Sequence, residues 1–326
     1  MEGISRANGI FMLTRVISRK EPIEPISWAW VVKLRENEKL KKVYDTDPHA
    51  EVFCFKENVY SIYAESADGM GDSWMHLIIG PEKAMLVDTG FGIGNLKGLV
   101  DELTGDMSLI VANTHHHIDH AYGNCQFDRV YCHEYSVPYL EQQRNLHAWD
   151  HLCDENGKGI WLEFDKKDII PYKEYGIVGC PNNYIFDLGG GHEVELIFMP
   201  GHAPGGCCYL DKKNRILFAG DTLLSMRVSV GGPRAGMPYS EFSTVTAFRN
   251  ELAKLAPRSD EFDSVFPGHF ILDIDKSVVQ NMLDACNAVI ADPDCCDYTE
   301  INTRGIEMKM KKVKGLGTLS YSNSSI

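Results

Sequence analysis

The chain has 326 residues, and 44% of them are hydrophobic, so it can bury a sizeable core and is not a disordered polymer. Its 32 basic and 46 acidic side chains give a net charge of −14, which argues against nucleic acid as the main partner because such a surface repels phosphates. No run approaches the roughly 18–20 apolar residues of a membrane-spanning helix, and no membrane partner is expected.

Arg15 interrupts the apolar residues 10–17, and no small-residue cleavage site follows, so no secretory signal is expected. The ten cysteines include the adjacent pairs Cys207–Cys208 and Cys295–Cys296 but no CxxC. In a chain long enough to have its own core, this reads as reduced thiols in a cytoplasmic protein.

In chain order, residues 1–50 read as an N-terminal leader, broken by Pro22 and Pro25 and carrying Trp28 and Trp30. Its expected role is a packing arm or a dimer contact, so a homodimer stays open. Residues 52–55 and 59–63 read as paired strands around the turn Lys56-Glu57-Asn58, and 75–79 and 84–87 as a second pair. Leu96, Leu99, Val100 and Leu103 follow the i, i+3, i+4, i+7 rule of a helix, with Asn95 as its N-cap.

Residues 109–112 and 129–132 predict short strands, and 135–146 a helix. Residues 148–192, rich in Asp, Lys, Gly and Asn, read as an irregular lid insertion. Strands are predicted again at 194–198, 207–210, 216–219 and 264–266. Helices are predicted from Ser240 as cap to Leu255, and over Val278 to Ile290; residues 303–313 look strand-like. Alternating strands and helices predict an α/β layered domain over residues 51–326.

Several predicted strands run into a histidine or aspartate. One reaches Asp88, and one reaches the cluster His115-His116-His117-Ile118-Asp119-His120. Others reach His202, Asp221 and His269. In layered α/β folds, ligand sites lie beyond the strand ends. His115 and His117 alternate with His116, so in an extended segment they point one way and His116 points away. Imidazole and carboxylate ligands suit Zn, Fe or Mn, and seven of them over two ions leave room for the water of a hydrolytic two-metal site.

The segment Thr114-His115-His116-His117-Ile118-Asp119-His120 resembles the HxHxDH signature of the metallo-β-lactamase-fold superfamily. Pro200-Gly201-His202 resembles that family's second histidine motif, Gly220-Asp221-Thr222 its aspartate motif, and Pro267-Gly268-His269 its last histidine. All four stand in family order. The resemblance implies a four-layer αββα sandwich of the metallo-β-lactamase type, holding two divalent metal ions, zinc first and Fe or Mn as alternatives. By residue-wise carry-over, His115, His117 and His202 would hold the first ion. Asp119, His120 and His269 would hold the second, Asp221 would bridge them, and Asp88 would support the ligands from behind.

The implied activity is hydrolysis of an ester, lactone or thioester of modest size, with Asp119 moving the proton. A small phosphodiester and iron-dependent persulfide oxidation are the alternatives. His49, His76, His133, His147, His151 and His192 read as ordinary surface or core residues. Cys207 and Cys208 read as buried strand residues. Trp74 and Met70, on the loop over 67–73 and its edge, are expected to wall the substrate pocket or an oligomer contact. Arg227 and Arg234, in the loop after Asp221, are expected to bind a substrate carboxylate or to be solvated.

Overall fold

A computed structural model describes residues 5–7, 10–12, 39–68, 71–231, 236–302 and 305–326. The first two segments, β1 (Ser5–Ala7) and β2 (Ile10–Met12), pair antiparallel. The rest forms two units, Lys39–Leu196 and Ile197–Ile326.

The first unit contains β3 (Lys41–Tyr44), β4 (Asp47–Lys56), β5 (Val59–Ala64), β6 (Ser73–Ile79) and β7 (Lys83–Val87). After β7 come α1 (Leu96–Thr104), β8 (Ser108–Ala112), α2 (Ile118–Ala121), β9 (Arg129–His133), α3 (Val137–Gln143) and β10 (Gly176–Cys180). Its main sheet has eight strands in the order β10-β9-β8-β7-β6-β5-β4-β3. Strands β3 to β7 form an antiparallel meander. The steps from β7 to β10 are parallel.

Strand β6 is buried at every position but Ile79, so its polar members Ser73 and His76 are enclosed along with the apolar ones. In α1, Leu96, Leu99 and Val100 form the buried stripe, and the Asn95 side chain accepts a 3.0 Å bond from the Gly98 N–H. The core of this unit gathers Val52, Ile62, Leu77, Leu86, Leu99 and Val130. At its end, β11 (Ile185–Asp187) pairs antiparallel with the start of β12 (Glu193–Phe198).

The second unit contains β13 (Cys207–Asp211), β14 (Ile216–Gly220), β15 (Arg227–Ser229), α4 (Val245–Leu255), β16 (Ser264–Pro267) and β17 (Ile274–Asp275). Then come α5 (Val278–Ala291), β18 (Tyr298–Ile301), β19 (Glu307–Val313) and β20 (Gly317–Tyr321). Strands β13, β14, β16 and β17 neighbour one another in one sheet, and a second sheet runs β15-β20-β19-β18. Helices α4 and α5 pack with Leu217, Val265, Leu319 and Tyr321 in one core. Among the described residues, no helix is long and apolar enough to cross a membrane.

Two parallel registers position the chemistry. In the first unit Val87 lies opposite Ala112, so β7 and β8 end at one level and release Asp88 and Asn113-Thr114 side by side. In the second unit Gly220 lies opposite Pro267, so β14 and β16 release Asp221 and Gly268-His269 together.

Several expectations shift. The boundary at residue 50 falls inside β4, and β3 lies within the expected leader, of which residues 1–4, 8–9 and 13–38 are outside the described residues. The expected lid over 148–192 contributes β10 and β11, since Gly- and Asn-rich flanks hid two short strands. Helix α3 stops at Gln143, because Arg144 leaves the helical region at ψ 85. The cap of α4 is Thr244, whose hydroxyl accepts from the Ala247 N–H at 3.1 Å, instead of Ser240. Strand β20 is wholly buried and escaped the sequence reading.

Asp47 opens β4 at only 2% exposure, and burial pushes its carboxyl up to about 6. A carboxyl raised in the folded state favours its protonated form. Its contribution is therefore complete below the unfolded value and is lost as pH rises through about 6. The variant Asp47→Asn, which keeps an oxygen for the His49 N–H, should gain about 1–3 kcal/mol over the parent at pH 7 and little at pH 4. Urea unfolding at both pH values checks this, and a larger gain at pH 4 would contradict it.

Candidate metal centre

The first unit builds its part of the site around Asp88. This residue follows β7 at φ 63, a left-handed conformation that Asp tolerates better than most residues. Its carboxylate is buried and accepts from the Thr114 N–H at 2.7 Å, the Thr114 hydroxyl at 2.8 Å and His120 Nδ1 at 2.8 Å. Since a carboxylate only accepts, the His120 proton sits on Nδ1, and Nε2 presents a lone pair. That lone pair faces Asp119 Oδ2 at 3.5 Å.

The Thr114 hydroxyl, having given its hydrogen to Asp88, accepts from His115 Nδ1 at 3.1 Å. His115 Nε2 therefore also carries a lone pair, and it meets His117 Nδ1 at 2.9 Å. Two nitrogens bound to one tetrahedral zinc at about 2.0–2.1 Å would stand roughly 3.3 Å apart, so an ion is accommodated by a small ring movement together with loss of the proton that the two nitrogens share, from His117 Nδ1. The backbone of His120 is held as well. Its carbonyl accepts from Asn113 Nδ2 at 3.0 Å and the Thr89 hydroxyl at 3.2 Å. Asn113 and Asn124 exchange amide bonds at 3.1 and 2.8 Å. Gly123 is required there, since a Cβ would lie 2.2 Å from the Thr89 carbonyl oxygen.

The second unit presents His202, Asp221 and His269. Gly201, at φ 110, lets the turn before His202 press on Phe248 of α4, which a Cβ would meet at 2.7 Å. His202 Nδ1 donates to the Ser229 carbonyl at 2.9 Å, so its Nε2 is again the lone-pair nitrogen. It faces Asp221 Oδ2 at 3.4 Å, while His269 Nε2 faces Asp221 Oδ1 at 3.2 Å. One carboxylate thus turns each oxygen to a different histidine.

In both units, imidazole lone pairs aim at carboxylate oxygens. Acceptor facing acceptor is unfavourable in a buried setting, and a cation relieves it. Imidazole nitrogen with carboxylate oxygen is the donor set of Zn, Fe and Mn sites, so these residues fit such ions.

The sequence profile described as the metallo-beta-lactamase superfamily matches residues 68–269. The chain belongs to this superfamily. The acyl-coenzyme A thioesterase MBLAC2 of Bos taurus is 29% identical over 211 residues, covering 60% of this chain and 71% of that protein. The Homo sapiens protein of the same name is 28% identical over the same shares. A probable polyketide biosynthesis zinc-dependent hydrolase, BaeB of Bacillus velezensis, is 24% identical over 188 residues, with 58% and 68% covered. Among solved structures, a metallo-beta-lactamase from Pontibacter korlensis superposes with a TM-score of 0.51 at 18% identity, over 73% of this chain and 99% of that one. The fold is therefore the α/β fold of the metallo-β-lactamase type.

The remaining predicted residues fall in various places. Trp74 lies in β6 at 5% exposure and packs its ring edge-on to Phe53 and Tyr63. Arg227 lies in the short strand β15, where its guanidinium pairs with Glu300. Arg234 and Met70 are outside the described residues. Cys207 and Cys208 are buried in β13. His76 and His133 are buried; His76 Nδ1 meets the Ser61 hydroxyl at 3.0 Å, and burial pushes the His133 imidazole down to about 4. His49 stands 3.9 Å from Asp168, and His147 pairs with Asp150.

Sequence reasoning missed Thr89, Asn113 and Asn124. For Thr89 and Asn113 the only signal is polarity just after a predicted strand, which turns share, and Asn124 lies in a short helical turn between predicted strands.

Removing the Asp88 carboxylate would strand the buried Thr114 N–H and His120 Nδ1. Asp88→Ala should cost about 3 kcal/mol or more in stability. Equilibrium unfolding checks this, and a loss under about 1 kcal/mol would deny Asp88 its organising role.

Proposed function

We propose that the chain is a metal-dependent hydrolase of thioesters or related esters, acting on a small-molecule substrate. On this reading the ligands of the first unit (His115, His117, Asp119 and His120) and those of the second (His202, Asp221 and His269) serve one dinuclear centre, with zinc the first choice. The observation that carries the reading is Asp221, whose two oxygens each face a different histidine. That is the disposition of a carboxylate shared between two ions. Superfamily membership over residues 68–269 supports it. The thioester class is supported by the likeness to proteins called acyl-coenzyme A thioesterases, and zinc by the likeness to one called a zinc-dependent hydrolase.

Bound divalent ions would supply a water acidified toward neutral pH and a Lewis acid for the substrate carbonyl. The chain's own residues do the rest. Asp88 and the Ser229 carbonyl hold His120 and His202 with their Nε2 lone pairs directed at carboxylates, so neither tautomer has to change on binding. Asp119 keeps 18% of its side chain exposed, enough to exchange protons with water. Its Oδ2 takes the proton of the attacking water and returns it to the departing thiol or alcohol. The net charge of −14 favours this small-substrate reading over nucleic-acid cleavage.

The test is the purified chain, assayed for metal content and against a panel of thioesters, esters, lactones and phosphodiesters. The expected result is about two zinc ions per chain and thioester hydrolysis lost on chelation and restored by zinc. Asp221→Ala should lose metal together with activity, by about 100-fold or more, since even outer partners of metal ligands are worth ~10–100-fold. Two ions retained in that variant would overturn the shared-carboxylate role, and oxygen uptake in place of hydrolysis would overturn the reaction class.

A further inference from the structure

His116 sits between His115 and His117, and its ring meets the His117 ring edge-on, with centroids 4.8 Å apart. The same ring stacks on Tyr139 of α3, with ring centroids 4.2 Å apart and planes 21° apart. The same helix reaches the His116 backbone, where Gln143 Nε2 donates to the carbonyl at 2.6 Å.

We propose that Tyr139 and Gln143 are positioning residues that grip His116 by ring and carbonyl and so set the spread of His115 and His117. The inference rests on the proposed metal centre. The carbonyl of residue 116 belongs to the peptide plane that also carries the N–H of residue 117. Fixing that plane fixes the direction in which the His117 side chain leaves the backbone. The ring stack fixes the other side of the same residue, and with it the exit of the chain from His115. His115 Nε2 and His117 Nδ1 are only 2.9 Å apart, so a small rotation at residue 116 changes whether the two nitrogens converge on an ion.

Two further observations favour a brace over incidental packing. Gln143 Oε1 is buried with no hydrogen-bond partner among the described residues, so the amide is kept there although its oxygen is unsatisfied by them. The site therefore uses the glutamine for its donor. The next residue, Arg144, anchors the end of α3: its Nη1 donates to the Tyr175 carbonyl at 2.7 Å, and its guanidinium pairs with Glu141 and Glu174. The brace thus has a fixed footing.

The test compares the full chain with Gln143→Met, His116→Ala and His116→Phe. It reads the zinc dissociation constant by chelator competition, the visible spectrum of the cobalt(II) form, and the melting temperature of the metal-free protein. Gln143→Met keeps shape but loses the donor. Zinc affinity should fall about 10–100-fold with a shifted cobalt spectrum, while the metal-free protein melts within a few degrees of the parent. His116→Ala should behave alike, whereas His116→Phe, which keeps the stack on Tyr139, should restore affinity to within about threefold of the parent.

Parental zinc affinity and cobalt spectrum in Gln143→Met would overturn the brace. A Phe variant as weak as the Ala variant would overturn the stacking role and point to the imidazole itself. A Gln143→Met chain that does not fold leaves the Ala and Phe pair to decide. A parent chain that binds no zinc would overturn the proposed function and this inference with it, a result distinct from a variant that matches a zinc-binding parent.

Discussion

The buried carboxylate of Asp88 is the constraint on which the first unit's chemistry depends. A carboxylate at 2% exposure must be surrounded by donors, and here they are the Thr114 N–H, the Thr114 hydroxyl and His120 Nδ1. Those demands propagate. Thr114 spends its hydrogen on Asp88 and so becomes the acceptor for His115. His120 spends its Nδ1 proton on Asp88 and so exposes a lone pair at Nε2. One acidic side chain thereby decides the tautomers of two histidines without touching the atoms that would meet an ion. The equal ends of β7 and β8 make this possible, because they release Asp88 and Thr114 at one level.

The second unit reaches a similar result by a different route. There the parallel ends of β14 and β16 bring Asp221 and His269 out together, and a backbone carbonyl, that of Ser229, takes the Nδ1 proton of His202. Asp221 itself occupies the other role, with both oxygens turned to histidine nitrogens. The two carboxylates are chemically alike but differ in surroundings. Asp88 is saturated by donors and organises, whereas Asp221 turns its oxygens to the Nε2 atoms of His202 and His269 and is suited to a cation.

Much of this was legible in the residues. Metal-ligating side chains are few in kind, and the HxHxDH spacing, the two Gly-His turns and the Gly-Asp turn each follow an apolar strand-forming run. The sequence therefore displays both the candidate ligands and their strand-end placement. The central strands and helices α1 and α5 were legible for the same reason, since their apolar spacing is set by local geometry. Less visible were β3, β10, β11 and β20. These strands are short, or flanked by Gly and Asn, and pair only because a neighbour in space supplies the ladder. Helix α3 ends sooner than its apolar pattern suggests because Arg144 turns out to bond the Tyr175 carbonyl. Trp74 reads as a loop-edge aromatic, yet its neighbours Phe53 and Tyr63 come from other strands and enclose it.

By itself the sequence determined which chemical groups are present, their order along the chain, their family and the class of ion they can bind. These depend on residue type and on spacing within a few residues. The tertiary structure decided which nitrogen of His115, His120 and His202 carries the proton, which carboxylate supports and which one turns to two histidines, and what holds His116. Those choices are made by hydrogen-bond partners distant in the chain, such as Asp88 for His120, Ser229 for His202 and Gln143 for His116. A hydrogen bond forms only between atoms that folding brings within about 3 Å, and no local pattern encodes that meeting.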